Sequence, residues 1–176
     1  SDGTKLAIGS PNSAGGGLKR GQVTIYQNIK GEWTQIGQNI VGESDFDQSG
    51  WSVSMSSDGT KVAIGSIFNL DNSGRGHVRI FQIRDSSWTQ IGEDIEGEND
   101  GDNSGASISL SSDGRKVAIG APKNLGGGFQ RGHVRVYQYD GRDWVQLGED
   151  IEGKVDNDNI GSAVFMSADG SKVAIG

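Results

Sequence analysis

Apolar and polar residues alternate with a period of two in short segments, each bounded by glycine, asparagine, aspartate or serine. Ile108 and Leu110 share one face of such a segment, and Val134 and Val136 share one face of another. No segment shows a period of about 3.6 residues, so the pattern predicts strands and no helices. In one stretch of the chain, four segments follow one another: 104–111 (SGASISLS), 116–121 (KVAIGA), 132–139 (GHVRVYQY) and 144–151 (WVQLGEDI).

The same four segments recur along the chain. Three tryptophans mark the recurrence at intervals of 55 and 56 residues, and Asp-Gly pairs keep the same spacing: Trp33, Trp88 and Trp144; Asp2-Gly3, Asp58-Gly59, Asp113-Gly114 and Asp169-Gly170. Four antiparallel strands at such a period are typical of a β-propeller blade, because each small sheet buries its faces only against neighbouring sheets. A β-sandwich has no reason to repeat at this interval. The sequence therefore predicts an all-β fold of four-stranded propeller blades with a period of about 56 residues.

The repeat also predicts blade boundaries. We expect a partial blade at 1–41, full blades at 48–95 and 103–151, and a partial blade at 159–176. Both ends fall at the same phase of the repeat, and propellers typically close with about 4 to 8 blades. We therefore expect a segment of a larger propeller whose remaining blades close the ring; closure by self-association is the less favoured alternative.

Charge and composition limit the classes of binding partner that are expected. The formal net charge of -7 repels phosphate backbones, and no basic stretch offsets it, so a nucleic-acid partner is not expected. No run approaches the roughly 18 apolar residues of a membrane span, so membrane insertion is not expected either. The chain contains no cysteine, which excludes disulfides and thiolate metal sites.

The stretch SGASISLSSDGRKVAIGAPKNLGGGFQRGHVRVYQY resembles the FG-GAP repeat of integrin α-type propellers. Gly105 stands at the motif's glycine, VAIGAP at its Gly-Ala-Pro end, and GHVRVY at the following strand. The resemblance covers essentially the whole chain. It implies that the SGxSxSxS strand is innermost and the tryptophan strand outermost, and that the parent protein is secreted or lies at the cell surface.

The Asp-Gly pairs invite comparison with that family's calcium loop. Calcium requires 6 to 8 oxygen ligands. Aligning Asp113 on the motif places Ser109 and Ser111 at the earlier ligand positions, and Val117 where a closing acid belongs. A hairpin turn stabilised by the aspartate and a positive-φ glycine accounts for these residues better.

A second acidic motif, Asp-x-Asp, occupies the loops 42–50, 97–105 and 153–161, which join the outermost strand of one blade to the innermost strand of the next. Alternating carboxylates can converge on a hard cation such as calcium, but the favoured interpretation is that these residues cap and turn a solvated loop. The candidate metal ligands are Asp45, Asp47, Asp100, Asp102, Asp156 and Asp158. No other cofactor is expected.

These loops are predicted to lie at the same end of the sheets as the long connections between second and third strands, 10–21, 66–76 and 121–132. We call this end the loop-rich rim. Each long connection ends in Arg-Gly, at Arg20, Arg75 and Arg131. These arginines could bind a protein or glycan ligand, or form salt bridges with neighbouring loops. Trp51, which does not recur, could add a stacking surface or fill a gap.

No catalytic motif stands out from the repeat. His77 and His133 share a repeat position that Gln22 occupies in the first copy, so a strand-edge hydrogen bond is predicted for them rather than catalysis. The resemblance and the loop-rich rim together predict a non-catalytic binding or adhesion module of an extracellular protein and no enzymatic activity. The alternative is an accessory structural propeller attached to a catalytic domain elsewhere in the parent chain.

Overall fold

The computed structural model describes residues 3–68 and 74–176. Regular structure in these residues is β-strand throughout, so the predicted all-β class is confirmed. None of the described residues forms a helix that could span a membrane. The strands are β1 (Lys5–Ser10), β2 (Gln22–Ile29), β3 (Glu32–Gln35), β4 (Ile40–Val41), β5 (Ser52–Met55), β6 (Lys61–Ser66), β7 (His77–Arg84), β8 (Ser87–Gln90), β9 (Ile95–Glu96), β10 (Ser107–Leu110), β11 (Lys116–Ala121), β12 (His133–Tyr139), β13 (Trp144–Gln146), β14 (Ile151–Glu152), β15 (Val164–Met166) and β16 (Val173–Ile175).

The strands form antiparallel sheets whose neighbours follow chain order. The first sheet contains β1, β2 and β3, with β4 paired to β2. The second contains β5 to β8 with β9 paired to β7, and the third contains β10 to β13 with β14 paired to β12. The fourth contains β15 and β16. The blade boundaries drawn from the sequence stay a prediction.

The outermost strand differs from the sequence prediction. The segment 144–151 was expected to be one strand, but it forms β13 and the start of β14, both paired to β12. The interruption coincides with Gly148, whose φ of 75° cannot continue a strand. The Gln146 amide donates to the Gly148 carbonyl at 3.3 Å and to Asp150 Oδ1 at 2.7 Å, and so fills the gap in the ladder.

Neighbouring sheets pack face to face through apolar side chains. Between the first and second sheets, Val23 and Ile25 belong to the same buried cluster as Val62 and Ile64. The second and third sheets share a cluster that contains Val78, Ile80, Val117, Ile119 and Trp144. A smaller cluster, with Ala118, Val134 and Met166, joins the third sheet to the fourth. The core therefore lies between sheets, as the repeat predicts.

The recurring tryptophan joins each sheet to the one before it. Trp144 is 7% exposed, and its Nε1 donates to the Ile91 carbonyl at 2.9 Å. Trp88 is 4% exposed and donates in the same way to Ile36 at 3.0 Å. Trp33, with no preceding sheet among the described residues, is 49% exposed. The tryptophan contact between sheets is thus formed wherever the described chain supplies both sheets.

The serines of the innermost strands connect sheets through hydrogen bonds. Ser54 Oγ accepts from the Leu110 amide at 3.0 Å, and Ser109 Oγ accepts from the Met166 amide at 2.9 Å. Next to them, β6 approaches the chain that leads into β10 so closely that a Cβ on Gly65 would overlap the Gly105 carbonyl. The first serine of each Ser-x-Ser pair, Ser52 or Ser107, donates instead to the carbonyl of Gly105 or Gly161. The pattern thus satisfies both backbone amides and backbone carbonyls across the sheet interface.

Candidate functional site

The long connections and the Asp-x-Asp loops lie side by side at the loop-rich rim. In the first sheet, the Phe46 amide donates to the Leu18 carbonyl at 2.7 Å, and the Ser49 amide donates to the Arg20 backbone carbonyl at 2.9 Å. The corresponding connection of the second sheet, 66–76, lies partly outside the described residues, since 69–73 are not among them. Asp2 of the first Asp-Gly pair also lies outside them.

The first aspartate of each Asp-x-Asp motif pairs with the arginine of the long connection. Nitrogen to oxygen distances are 2.8 Å, 3.1 Å and 3.0 Å for Arg20–Asp45, Arg75–Asp100 and Arg131–Asp156. The hydrogen bond from Arg20 holds the pKa of Asp45 below its usual value, and Arg131 does the same for Asp156. The three arginines and three aspartates thus form salt bridges, the arrangement that the sequence left as one alternative.

The second aspartate of each motif binds backbone donors of its own loop. Asp47 Oδ2 accepts from the Glu43 amide at 2.8 Å and the Ser44 amide at 2.9 Å. Asp158 makes the equivalent pair of bonds, and Asp102 Oδ2 accepts from the Asn99 amide and the Asn124 side chain. The two carboxylates of a pair therefore serve separate sets of protein donors. Calcium binding by these loops stays a prediction, as does a ligand at the rim arginines.

Trp51, the one aromatic residue assigned to the rim, is 50% exposed. The stacking surface and the filling of a gap beside a neighbour both stay predictions for this side chain. Its amide hydrogen bonds to the Gln48 and Gly65 carbonyls fix the start of β5.

The Asp-Gly turns are closed by serine. Ser111 Oγ donates to Asp113 Oδ1 at 2.6 Å, and the Arg115 amide donates to the same oxygen at 3.0 Å. The Ser111 bond is the largest of the effects that lower the pKa of Asp113. Ser109, the other candidate ligand position, is engaged by the next sheet. The residues of the apparent calcium loop are thus used in a turn and a sheet contact.

A different group of polar side chains meets between the second and third sheets at the loop-rich rim. His133 opens β12 and its side chain is 1% exposed. Its Nδ1 lies 3.5 Å from Asp150 Oδ2 and 3.8 Å from Glu98 Oε2. Within the described residues, this is the group of three metal-ligating side chains whose ligand atoms all lie within 4.8 Å of one another. We call Glu98, His133 and Asp150 the rim cluster.

Two residues on the same face of β12 extend the rim cluster. Arg135 Nη1 lies 3.7 Å from Glu98 Oε1, and Arg135 Nη2 donates to the Glu96 carbonyl at 2.7 Å, which ties the third sheet to the second. The Arg135 guanidinium also lies 5.7 Å from the centre of the Tyr137 ring. Burial raises the pKa of the Tyr137 hydroxyl. Burial is also the main effect that lowers the pKa of His133, so this imidazole favours the neutral form.

Neither ring nitrogen of His133 has a hydrogen-bond partner in the described part of the chain, and the same holds for His77. The strand-edge hydrogen bond predicted for these two histidines is therefore not made by residues 3–68 and 74–176. The distances from His133 to the two carboxylates exceed the usual 2.7 to 3.2 Å of a hydrogen bond.

The equivalent positions in the other sheets differ from the rim cluster. In the first sheet two amides replace the ionisable pair, and the Asn39 side chain donates to Gln22 Oε1 at 3.4 Å. In the second sheet His77 and Asp94 stand at the positions of His133 and Asp150, while Glu43 lies 3.3 Å from Arg79. Among the described residues, these second-sheet groups do not form a three-ligand group.

Sequence reasoning named His133 but did not associate Glu98 or Asp150 with it. A signal was present in the repeats: Gln22 occurs with Asn39, whereas each histidine occurs with an aspartate at the same spacing. That joint change points to spatial contact between the two positions.

Comparisons with known proteins follow from the fold. Neither a protein-family model nor a curated protein sequence matches the chain. Among solved structures, a candidate 6-phosphogluconolactonase from Bacteroides uniformis superposes with a TM-score of 0.59 at 11% identity, covering 88% of this chain and 40% of that one. A candidate TolB from Agrobacterium tumefaciens gives a TM-score of 0.49 at 17% identity, covering 99% of this chain and 55% of that one. The periplasmic gluconolactonase PpgL of Pseudomonas aeruginosa gives 0.43 at 16% identity, covering 99% and 62%.

The chain has a β-propeller-like fold. At such low identity the likeness shows the fold alone, and this chain spans less than two thirds of each of these structures. No FG-GAP or integrin protein is among these similar structures.

The comparison corrects the functional prediction. We expected a non-catalytic binding or adhesion module, or an accessory propeller, with no enzymatic activity. That expectation took the regular repeat as a sign against catalysis, and it is wrong because the same fold occurs in a protein named as a lactonase.

Proposed function

We propose that this chain is part of a propeller enzyme that hydrolyses esters, with cyclic esters, the lactones, as the first substrate class to test. The single observation that carries the proposal is the rim cluster, in which a buried imidazole faces two carboxylates. A histidine with carboxylate partners is a common means of activating water. The lactonase named among the similar structures supports the choice of substrate class.

Access to the rim cluster is from the solvent side. The Glu98 side chain is 46% exposed and the Asp150 side chain is 22% exposed, whereas His133 forms the floor. Arg135 Nη1 lies 3.7 Å from Oε1 of Glu98, and Gln146 donates to Oδ1 of Asp150 at 2.7 Å. Each carboxylate thus keeps a second oxygen directed at the centre of the cluster.

The chemistry requires a bound water and the lactone carbonyl. Water loses a proton to the cluster, with Glu98 as the accessible acceptor, and its oxygen forms a bond to the carbonyl carbon. The ring carbon–oxygen bond then breaks, and the departing oxygen takes the proton back to become the alcohol of the opened hydroxy acid. Asp150 supplies negative charge, and the neutral His133 imidazole helps to hold the water in position, while Glu98 exchanges the proton.

The test is hydrolysis of simple, sugar-derived and phosphorylated lactones. The rate is measured as the release of acid at constant pH. Glu98→Gln should lower kcat/KM by about 100-fold or more, the usual effect of removing a general base. Glu43→Gln is the matched control, because Glu43 occupies the same repeat position and pairs with Arg79. Hydrolysis no faster than background with every lactone, or equal losses in the two variants, would reject the proposal.

The finer assignment to FG-GAP-type repeats stays a proposal, supported by Gly105 and the VAIGAP segment. The extracellular location and the closure of the ring by further blades are also predictions, which follow from that resemblance and from the repeat.

A further inference from the structure

We propose that the rim cluster binds one divalent transition-metal ion, with Zn²⁺ the best match to its ligands. Glu98, His133 and Asp150 would supply one imidazole nitrogen and two carboxylate oxygens. The inference rests on the proposed hydrolase only for the metal's part in catalysis; metal binding itself stands on the geometry.

The spacing of the ligand atoms suits a bridging ion better than direct bonds. Zinc bonds to nitrogen and carboxylate oxygen of about 2.0 to 2.2 Å place tetrahedral ligands about 3.4 Å apart. His133 Nδ1 lies 3.5 Å and 3.8 Å from its two carboxylate neighbours, and all three ligand atoms lie within 4.8 Å of one another. The same separations are too long for hydrogen bonds.

The histidine is a buried polar group without a partner. His133 is 1% exposed, and in the described part of the chain its nitrogens make no hydrogen bond. Buried polar groups almost always have a partner, so an orphaned imidazole aimed at two carboxylates calls for one. A metal ion at the centre of the rim cluster would satisfy Nδ1 and both carboxylates together.

The surrounding side chains orient the ligands as in metal sites. Gln146 Nε2 donates to Asp150 Oδ1 at 2.7 Å, which leaves Oδ2 toward His133. Arg135 lies near Glu98 Oε1 and leaves Oε2 toward His133. Such outer contacts fix ligand orientation and are worth about 10- to 100-fold in metal affinity.

The ligand set favours a transition metal over calcium. Imidazole with carboxylate suits Zn²⁺, whereas calcium requires 6 to 8 oxygens. Three protein ligands with an opening to solvent at Glu98 leave a coordination position for water, as in catalytic zinc sites. Bound there, the metal would lower the pKa of a water molecule, and the oxygen of Glu98 that does not bind the metal would still take the proton that this water loses.

The chain contains two histidines, so the imidazole nitrogen NMR signals of the rim cluster can be distinguished from those of one other residue. On titration of ¹⁵N-labelled protein with Zn²⁺, we expect one set of ring resonances to shift and to saturate at one equivalent. His77→Gln should remove only the unshifted set, whereas His133→Gln should remove the shifted one and weaken Zn²⁺ binding at least about tenfold. Both substitutions introduce the residue that Gln22 supplies in the first sheet, so folding should be preserved.

Asp150→Asn, which introduces the residue found at Asn39, is a second variant that should weaken binding, with Asp94→Asn as its control. Shifts in neither histidine, equal shifts in both, or full Zn²⁺ affinity in the His133 and Asp150 variants would overturn the metal site. Zn²⁺ binding without lactone hydrolysis would instead reject the proposed function and leave the metal site in place. Lactone hydrolysis that persists in a chelator, with no histidine shift on addition of Zn²⁺, would reject the metal site and leave the proposed function in place.

Discussion

The substitution Gly92→Ala tests how the third sheet packs on the second. An ideal Cβ at Gly92 would lie 2.6 Å from Trp144 Cδ1 and 2.8 Å from Asp143 Oδ1. The indole cannot withdraw freely, because it is 7% exposed and its Nε1 donates to the Ile91 carbonyl at 2.9 Å. Overpacking of this kind costs about 1 to 3 kcal/mol.

Gly148 provides the matched control at the same repeat position. Its φ of 75° nearly equals the 74° of Gly92, and nothing lies within 4 Å of its ideal Cβ. The backbone cost of a non-glycine residue at positive φ, about 1 to 2 kcal/mol, is therefore common to both positions. We expect Gly92→Ala to destabilise the chain by about 1 to 3 kcal/mol more than Gly148→Ala.

Urea denaturation measures the difference in the free energy of unfolding between the two variants, provided that their m-values are equal. In the double variant Gly92→Ala/Trp144→Ala, the extra cost at Gly92 should become smaller, since the indole overlap is gone and only the contact with Asp143 Oδ1 remains. Equal destabilisation by the two glycine substitutions in the otherwise unchanged chain would refute the tryptophan contact between sheets.

Three further results are expected. Trp144→Ala should cost about 3 to 5 kcal/mol, and Trp33→Ala, at a 49% exposed residue, clearly less, as read from urea midpoints; similar losses would contradict the burial of Trp144. Asp47→Ala should cost about 1 to 3 kcal/mol in the same assay by orphaning two backbone amides, with a smaller loss for Asp45→Ala, and the reverse order would be inconsistent with the loop hydrogen bonds. The pKa of Asp169 is lowered to about 2, first by the hydrogen bond from the Ser167 hydroxyl and then by those from Ser171, so Ser167→Ala should raise it part of the way, as followed by carboxyl ¹³C NMR. The stabilisation by this carboxylate is complete above its unfolded pKa of about 3.9 and is lost as pH falls toward 2, and an unchanged pKa in the variant would exclude the serine as the main cause.

Much of the fold could be predicted from the sequence. The alternation of apolar residues indicates where the strands lie, and the repeat indicates that each sheet packs against the next. The second strand was predicted at 116–121, and β11 has the same bounds. The division of the outermost strand into two was not predicted. An isolated glycine in an apolar segment can mark a strand break or be tolerated within a strand, and the sequence alone does not distinguish the two. Gly92 and Gly148 have the same φ, so the break is a property of the repeat itself.

The rim cluster could not be assembled from local pattern. Glu98 follows β9 of the second sheet, whereas His133 and Asp150 belong to the third sheet, so their contact depends on how two sheets are placed side by side. The sequence did contain the joint change of Gln22 with Asn39. Without the sheet register, that change had no structural meaning.

The central claim is that the third sheet's rim cluster is a reaction site and that its repeat equivalent in the second sheet is structural. The most direct measurement is kcat/KM for lactone hydrolysis by His133→Gln and by His77→Gln, each compared with the unsubstituted protein. We expect a loss of about 10- to 100-fold for His133→Gln, because it removes a group that orients the reacting cluster, and no change for His77→Gln. Unchanged hydrolysis in His133→Gln, or a matching loss in His77→Gln, would contradict the account.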